Sequence, residues 1–242
     1  PSISERLTLF SKICHAVNAA HLRGVIHRDL KPSNVRIDES GEPHVLDFGL
    51  AKVESDGAQG TSPRRTVTMT GQFVGSLPWA SPEQACGAAD RIDVRTVIYC
   101  LGVMLFHTLT QRFPYPVSGP MREVLTHILE TTPARPGSLH RGIDADLDVI
   151  VLKALEKDPA RRYQSAADLA GDIRRYLRHQ PIAARPPSMV YQLHTFAKRN
   201  RTLVGGVVAV FIALVLGLAG TTWQAVRARD EAVRAAHEAE TS

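Results

Sequence analysis

Several residue patterns that mark whole protein classes are scarce or missing in these 242 residues. There are three cysteines, Cys14, Cys86 and Cys100. The number is odd and none forms a CxxC pair, which excludes a disulfide framework and a zinc ribbon and leaves reduced thiols. Ten histidines occur without HExxH spacing, so that class of metalloprotease is excluded. Aromatic residues are only 6 %, and the net charge of +5 sits largely in short clusters such as Arg174–Arg178 and Lys198–Arg201. A nucleic-acid face needs basic and aromatic residues interleaved, so no nucleic-acid partner is expected. Pro1–Leu9 is polar and carries no apolar core of a secretory signal. There is no initiator methionine, and the chain reads as if cut from something longer.

What is present predicts a packed core, with 44 % hydrophobic and 22 % charged residues. Leu7, Phe10, Cys14 and Val17 recur at helical spacing, with Gly24 as terminator. Val25–Ile26 reads as a short buried strand leading into His27. Val35–Ile37 and His44–Leu46 read as strands around the turn signal Asp38–Gly41. Glu54–Met69 is polar and reads as a long functional or disordered loop. From Asp93 to Thr110 the pattern is helical and largely apolar, which predicts a buried central helix. Further helices are expected at Met121–Glu130, Ala145–Leu155 and Ser165–Leu177.

Gln180–Ser188 holds three prolines and reads as a linker. Leu203–Thr222 follows, twenty residues without a charge, matching the length of a bilayer-spanning helix. A buried core helix is the alternative. Lys198, Arg199 and Arg201 at one end and Trp223 at the other favour the span, because such residues anchor at interfaces. Four basic residues precede it and three follow, which leans toward an internal N-terminal side. The predicted organisation is a domain over residues 1–178, a juxtamembrane linker over 179–202, a span over 203–222 and an Ala/Arg/Glu-rich helical tail over 223–242.

The run His27–Asn34, HRDLKPSN, is followed by Asp47–Phe48–Gly49. It puts a carboxylate, a lysine and an amide into one short loop, with a second carboxylate directly after the two expected strands. Phosphoryl transfer needs such a set: a group to accept a hydroxyl proton, a cation beside phosphate, and hard oxygen ligands for magnesium. Together the two motifs resemble the protein kinase family, and Lys31 two positions after Asp29 is the serine/threonine-type pattern. The resemblance implies that Asp29 is the catalytic base, that Lys31 carries charge to the transferred phosphate, and that Asn34 and Asp47 hold Mg²⁺. Lys31, Asn34 and Asp47 would be the contacts to ATP and its metal. His27 and Phe48 are supporting residues, and Gly49 frees the backbone at the start of the long loop.

Gly75–Glu83, GSLPWASPE, resembles the end of a kinase activation segment, with SPE in place of APE. The resemblance implies that Glu83 pairs with Arg162 of DPARRY and that Ser76 is the hydroxyl residue of the substrate-binding loop. Arg28 would bind a phosphate on the activation segment, with Thr66, Thr68 and Thr70 as candidate phosphosites. The likeness covers about Ser4–Arg178. The linker, the span and the phrase GTTWQAVRAR resemble bacterial membrane-anchored kinases of the PknB-like type. The implied fold is mainly α, a kinase-like C-terminal lobe with short β-hairpins followed by a single transmembrane helix. The implied setting is the cell membrane with the kinase region cytoplasmic. Its partners are protein substrates and the membrane, with a dimer left open.

Two departures temper this. No GxGxxG occurs, and the one lysine before Lys31 is Lys12, inside a helical pattern. The Gly-rich loop and strand lysine of a kinase N-terminal lobe are therefore not in these residues, and the chain alone is expected to be inactive. Arg95–Gly102 reads RTVIYCLG, so Val97 stands where the family commonly has an aspartate that binds amides of the catalytic loop. An enzyme of this family and a membrane-tethered pseudokinase scaffold both remain open.

Overall fold

The computed structural model describes residues 1–47 and 76–185, and beyond them Gly206, Ile212, Leu214, Leu216, Thr221 and Trp223. The chain divides into two units, Pro1–Ser188 and Met189–Ser242. In the first, helix α1 spans Ile3–His21. It starts on a capping box in which Ser2 Oγ accepts from the Glu5 amide at 3.2 Å and the Glu5 carboxylate accepts from the Ser2 amide at 2.8 Å. Leu7, Phe10, Cys14 and Val17 form its buried stripe, as their spacing predicts.

Gly24 ends the helix region at φ +73°, and the Val25 amide turns back to the Ala20 carbonyl at 3.0 Å. The expected strand at Val25–Ile26 does not form. The Val25 N–H is consumed in closing the helix end, and neither residue is in a β-ladder. The hairpin does form, as β1, Val35–Ile37, antiparallel to β2, Pro43–Val45, with Arg36 opposite His44. Its second strand begins one residue earlier than predicted. Pro43 can occupy the first position because it has no N–H to offer and none is needed there. Asp38 builds the turn, its Oδ1 accepting from the Ser40 and Glu42 amides, each at 2.9 Å.

Helix α2, Val94–Thr110, runs through the centre with Asp93 as N-cap. Val97, Ile98, Leu101, Val103, Leu105 and Phe106 have no exposed surface. Each such side chain contributes roughly 1.5–3 kcal/mol by leaving water. Helices α3, Met121–Glu130, α4, Ala145–Ala154, and α5, Ala166–Leu177, complete the core. The amphipathic α5 lies against α1, while α4 meets α2. The latter contact is close because Gly102 has no side chain: a Cβ there would stand 2.9 Å from the Ala154 Cβ. A second apolar cluster joins Leu77, Ala80 and Tyr115 to Val124 and Ile128 of α3. Cys14 and Cys100 are buried free thiols and Cys86 is exposed. Burial pushes the Cys100 thiol up to about 12, so it stays protonated.

In the second unit, the six described residues are helical, and all are exposed. The stretch predicted to span a membrane otherwise lies outside the described residues. Among the described residues no helix is long and apolar enough to cross a membrane.

Candidate active site

The loop between α1 and β1 is held by its own histidine. His27 is buried, and its Nδ1 accepts from the Asp29 amide at 3.3 Å. With Nδ1 an acceptor, the ring proton sits on Nε2, which donates to the Leu46 carbonyl at 2.8 Å. One ring thus ties the loop bearing Asp29 to the residue preceding Asp47. The Leu46 amide in turn donates to the Asn34 carbonyl at 2.8 Å.

Four predicted residues meet directly. The Lys31 ammonium is 2.7 Å from Asp29 Oδ2 and 2.7 Å from Ser76 Oγ. Asn34 donates its amide N–H to the Asp29 carbonyl oxygen at 2.8 Å. That bond sets the amide's orientation and leaves Oδ1 with one long contact, from the Ser33 hydroxyl at 3.4 Å. Asp47 is exposed and takes φ 60°, a left-handed conformation that strains a residue with a side chain. Asn34 Oδ1 and the Asp47 carboxylate are hard oxygens, the donor type that suits Mg²⁺. Phe48, Gly49, Thr66, Thr68 and Thr70 lie outside the described residues.

A second assembly stands behind the loop. Glu83 and Arg162 are both buried and form a two-pronged pair, Nη1 to Oε1 at 2.7 Å and Nη2 to Oε2 at 3.0 Å. The other three guanidinium protons go to the carbonyls of Arg95, Glu156 and Lys157, at 2.7–2.9 Å. Burial by itself would raise the Glu83 pKa. The Arg162 bonds and charge outweigh it and hold the carboxyl below its usual value. Gln84, beside Glu83, donates to the Arg28 carbonyl at 2.5 Å and so braces the loop bearing Asp29 from this side. Sequence reasoning missed Gln84, although Ser81-x-x-Gln84 is a capping-box pattern and that box is formed.

Val97 is fully buried and its side chain has no hydrogen-bond acceptor to offer the loop. Asp93, one turn earlier, is engaged with the Arg95 guanidinium at 2.6 and 2.8 Å. Nearby, both ring nitrogens of His21 are buried without a hydrogen-bond partner among the described residues. Burial, then the neighbouring His27, lowers the His21 pKa. Next to Ser76, Trp79 forms edge contacts with His107 and Phe113, the ring centres 5.3 and 4.9 Å away.

Residues 2–173 match the family model described as the protein kinase domain. The chain belongs to the protein kinase family. Curated relatives agree that it is a serine/threonine kinase by family. It is 37 % identical over 178 residues to the serine/threonine-protein kinase PknB of Mycobacterium tuberculosis, covering 74 % of this chain and 27 % of that protein. The PknB of Mycolicibacterium smegmatis is 36 % identical over 184 residues, 76 % of this chain and 28 % of the relative. A probable serine/threonine-protein kinase of Streptomyces coelicolor is 37 % identical over 172 residues, 71 % and 24 % respectively. The chain spans about a quarter of the length of these relatives. The family implies ATP and a divalent metal, and the oxygens of Asn34 and Asp47 are donors that fit such a metal.

Proposed function

We propose that these residues form the substrate-side lobe of a serine/threonine kinase that moves the γ-phosphoryl group of ATP to protein hydroxyls with Mg²⁺. The observation that carries this is the Lys31 ammonium bridging Asp29 and Ser76. Asp29 keeps Oδ1 outside that bridge, so one carboxylate oxygen can accept the proton of a serine or threonine hydroxyl. Lys31 brings positive charge beside it, where negative charge on phosphate oxygens needs a counterpart. Bound Mg²⁺ would neutralise the phosphates, held by Asn34 and Asp47. Ser76 ties the end of the activation segment to the same lysine, so an acceptor protein resting there would be registered to Asp29. Arg28 is proposed to receive a phosphate from Thr66, Thr68 or Thr70.

Residues 203–222 are proposed to anchor the chain in a membrane with the kinase region on the cytoplasmic side, where ATP is present. The 242 residues alone are proposed to be inactive, because the backbone donors of a Gly-rich loop and a strand lysine are not among them.

A second reading, a tethered scaffold, is favoured by one observation: Val97 leaves the catalytic loop without a carboxylate from α2. Phosphate transfer to a generic protein acceptor decides between them. The chain alone should transfer none. The chain joined to the nucleotide-binding lobe of an established serine/threonine kinase should transfer, and Asp29→Asn should lower that rate by about 10²–10⁴-fold. A folded fusion without Asp29-dependent transfer would favour the scaffold.

A further inference from the structure

The segment after α5, read from its prolines as the start of a linker, is fastened to the lobe at three points. Asp172, with no exposed surface, takes the Ala183 amide on Oδ1 at 2.7 Å and the Ala184 amide on Oδ2 at 2.8 Å. Ile182 is buried at 3 % exposure. The Arg185 guanidinium pairs with Asp146 at 3.1 Å and reaches the Ala145 carbonyl at 3.3 Å, both in the first turn of α4. A linker with no role in the fold would not bury an isoleucine or supply half the donors of a buried carboxylate.

The other two donors to Asp172 are Arg175 at 2.9 Å and the Tyr163 hydroxyl at 3.0 Å. Tyr163 is buried and is joined by one peptide bond to Arg162. Arg162 holds Glu83, and Gln84 next to it holds the Arg28 carbonyl. Each carboxylate in this series is bound by charge-assisted or backbone donors, the less yielding kind of hydrogen bond.

We propose that Ile182–Arg185 is a strap that couples the segment leaving the lobe to the buried anchor of the activation segment, through Asp172, Tyr163 and the Arg162–Glu83 pair. Tension on the chain beyond Arg185 would draw first on the Arg185 contacts and then on the Ala184 and Ala183 amides. Lifting them leaves Asp172 with two donors in place of four and shifts the balance at Tyr163. The coupling does not depend on phosphoryl transfer, so its test is independent of the function proposed above.

The test is hydrogen–deuterium exchange of the full chain in detergent micelles, comparing the parent with Ile182→Ala and Arg185→Ala. Leu109→Ala, buried near the end of α2 and fourteen residues along that helix from Arg95, serves as a destabilising control away from this route. Expected is tenfold or faster exchange at Ala183 and Ala184 and also at Gln84–Cys86, with the control leaving those amides unchanged. Coupling is reciprocal, so Glu83→Gln should in turn speed exchange at Ala183 and Ala184. Faster exchange confined to the strap would overturn the proposal. So would equal exchange at both places in the control, since that is global loosening and not a connection.

Discussion

Replacing Arg162 by alanine should be among the most damaging single changes in this lobe, and its damage should depend on pH in a defined way. The guanidinium has no exposed side-chain surface and all five of its protons are bonded. Its removal leaves the Glu83 charge buried without its cation, its remaining contacts being neutral donors such as the Ser81 and Thr96 hydroxyls, the latter at 3.3 Å. Breaking a buried pair from one side costs about 3–5 kcal/mol. Three carbonyls lose a donor as well, which favours the upper end. At this size a kcal/mol moves the melting temperature by about 2–4 °C, so the fall should be about 6–20 °C.

In the parent, Glu83 titrates below its unfolded value. Its contribution is complete above about pH 4.3 and is lost as pH falls through the lower folded value. In Arg162→Ala the burial stays and the cation is gone, so the Glu83 pKa rises above the unfolded value. That penalty disappears once the carboxyl is protonated in both states. The stability gap should therefore be widest at pH 7 and narrow toward pH 4. Urea unfolding followed by circular dichroism at both pH values measures it. A gap under about 1 kcal/mol at pH 7, or the same gap at both, would refute the reasoning.

Gly102→Ala gains about 1 kcal/mol of helix propensity but sets a Cβ 2.9 Å from the Ala154 Cβ. Overpacking costs about 1–3 kcal/mol, so a net loss of stability is expected in urea, and a more stable variant would contradict the close helix contact. Burial, then the neighbouring Arg162, pushes Lys157 down to about 8. Lys157 by itself then binds fewer protons folded than unfolded between about pH 8 and 10.4 and adds stability as pH rises, opposing the buried thiols of Cys14 and Cys100, whose raised pKa values make stability fall over the same range. Lys157→Met should therefore make stability fall more steeply between pH 7.5 and 9.5 than in the parent, and parallel profiles for parent and variant would count against it. The proposed anchor predicts that the chain stays with carbonate-washed membranes and that deletion of residues 203–222 releases it. Recovery of the intact chain in the wash would contradict the anchor.

Most of the helical frame was legible because each helix carries its own pattern. The stripe of α1 and the apolar run of α2 are local signals, and α3 has the bounds its periodicity predicts. Val25–Ile26 misled because two apolar residues before a motif look like a strand. Whether they pair depends on where the helix end sends its hydrogen bonds. The residues of the catalytic loop were legible from their types and spacing, but their bonding was not. Lys31 reaching Ser76 joins positions 45 apart, whereas the Arg162–Glu83 pair, 79 apart, was expected, but from the family resemblance and not from any local pattern. Asp172 was invisible for a different reason. An aspartate on an amphipathic helix reads as part of a solvated face. It is buried here because a later segment folds over it, and nothing within α5 records that return.

The contact of Trp79 with His107 and Phe113 has an optical consequence. The sequence holds only two tryptophans, Trp79 and Trp223. Substituting phenylalanine at Trp223 leaves a single indole, three residues from the serine that touches Lys31. Its emission would report on one place in the molecule, the junction where the activation segment rejoins the lobe. A charged imidazolium quenches indole fluorescence, and His107 lies against the ring with burial lowering its pKa. The lobe therefore carries its own built-in probe, bright at neutral pH, for changes around Trp79 and Ser76.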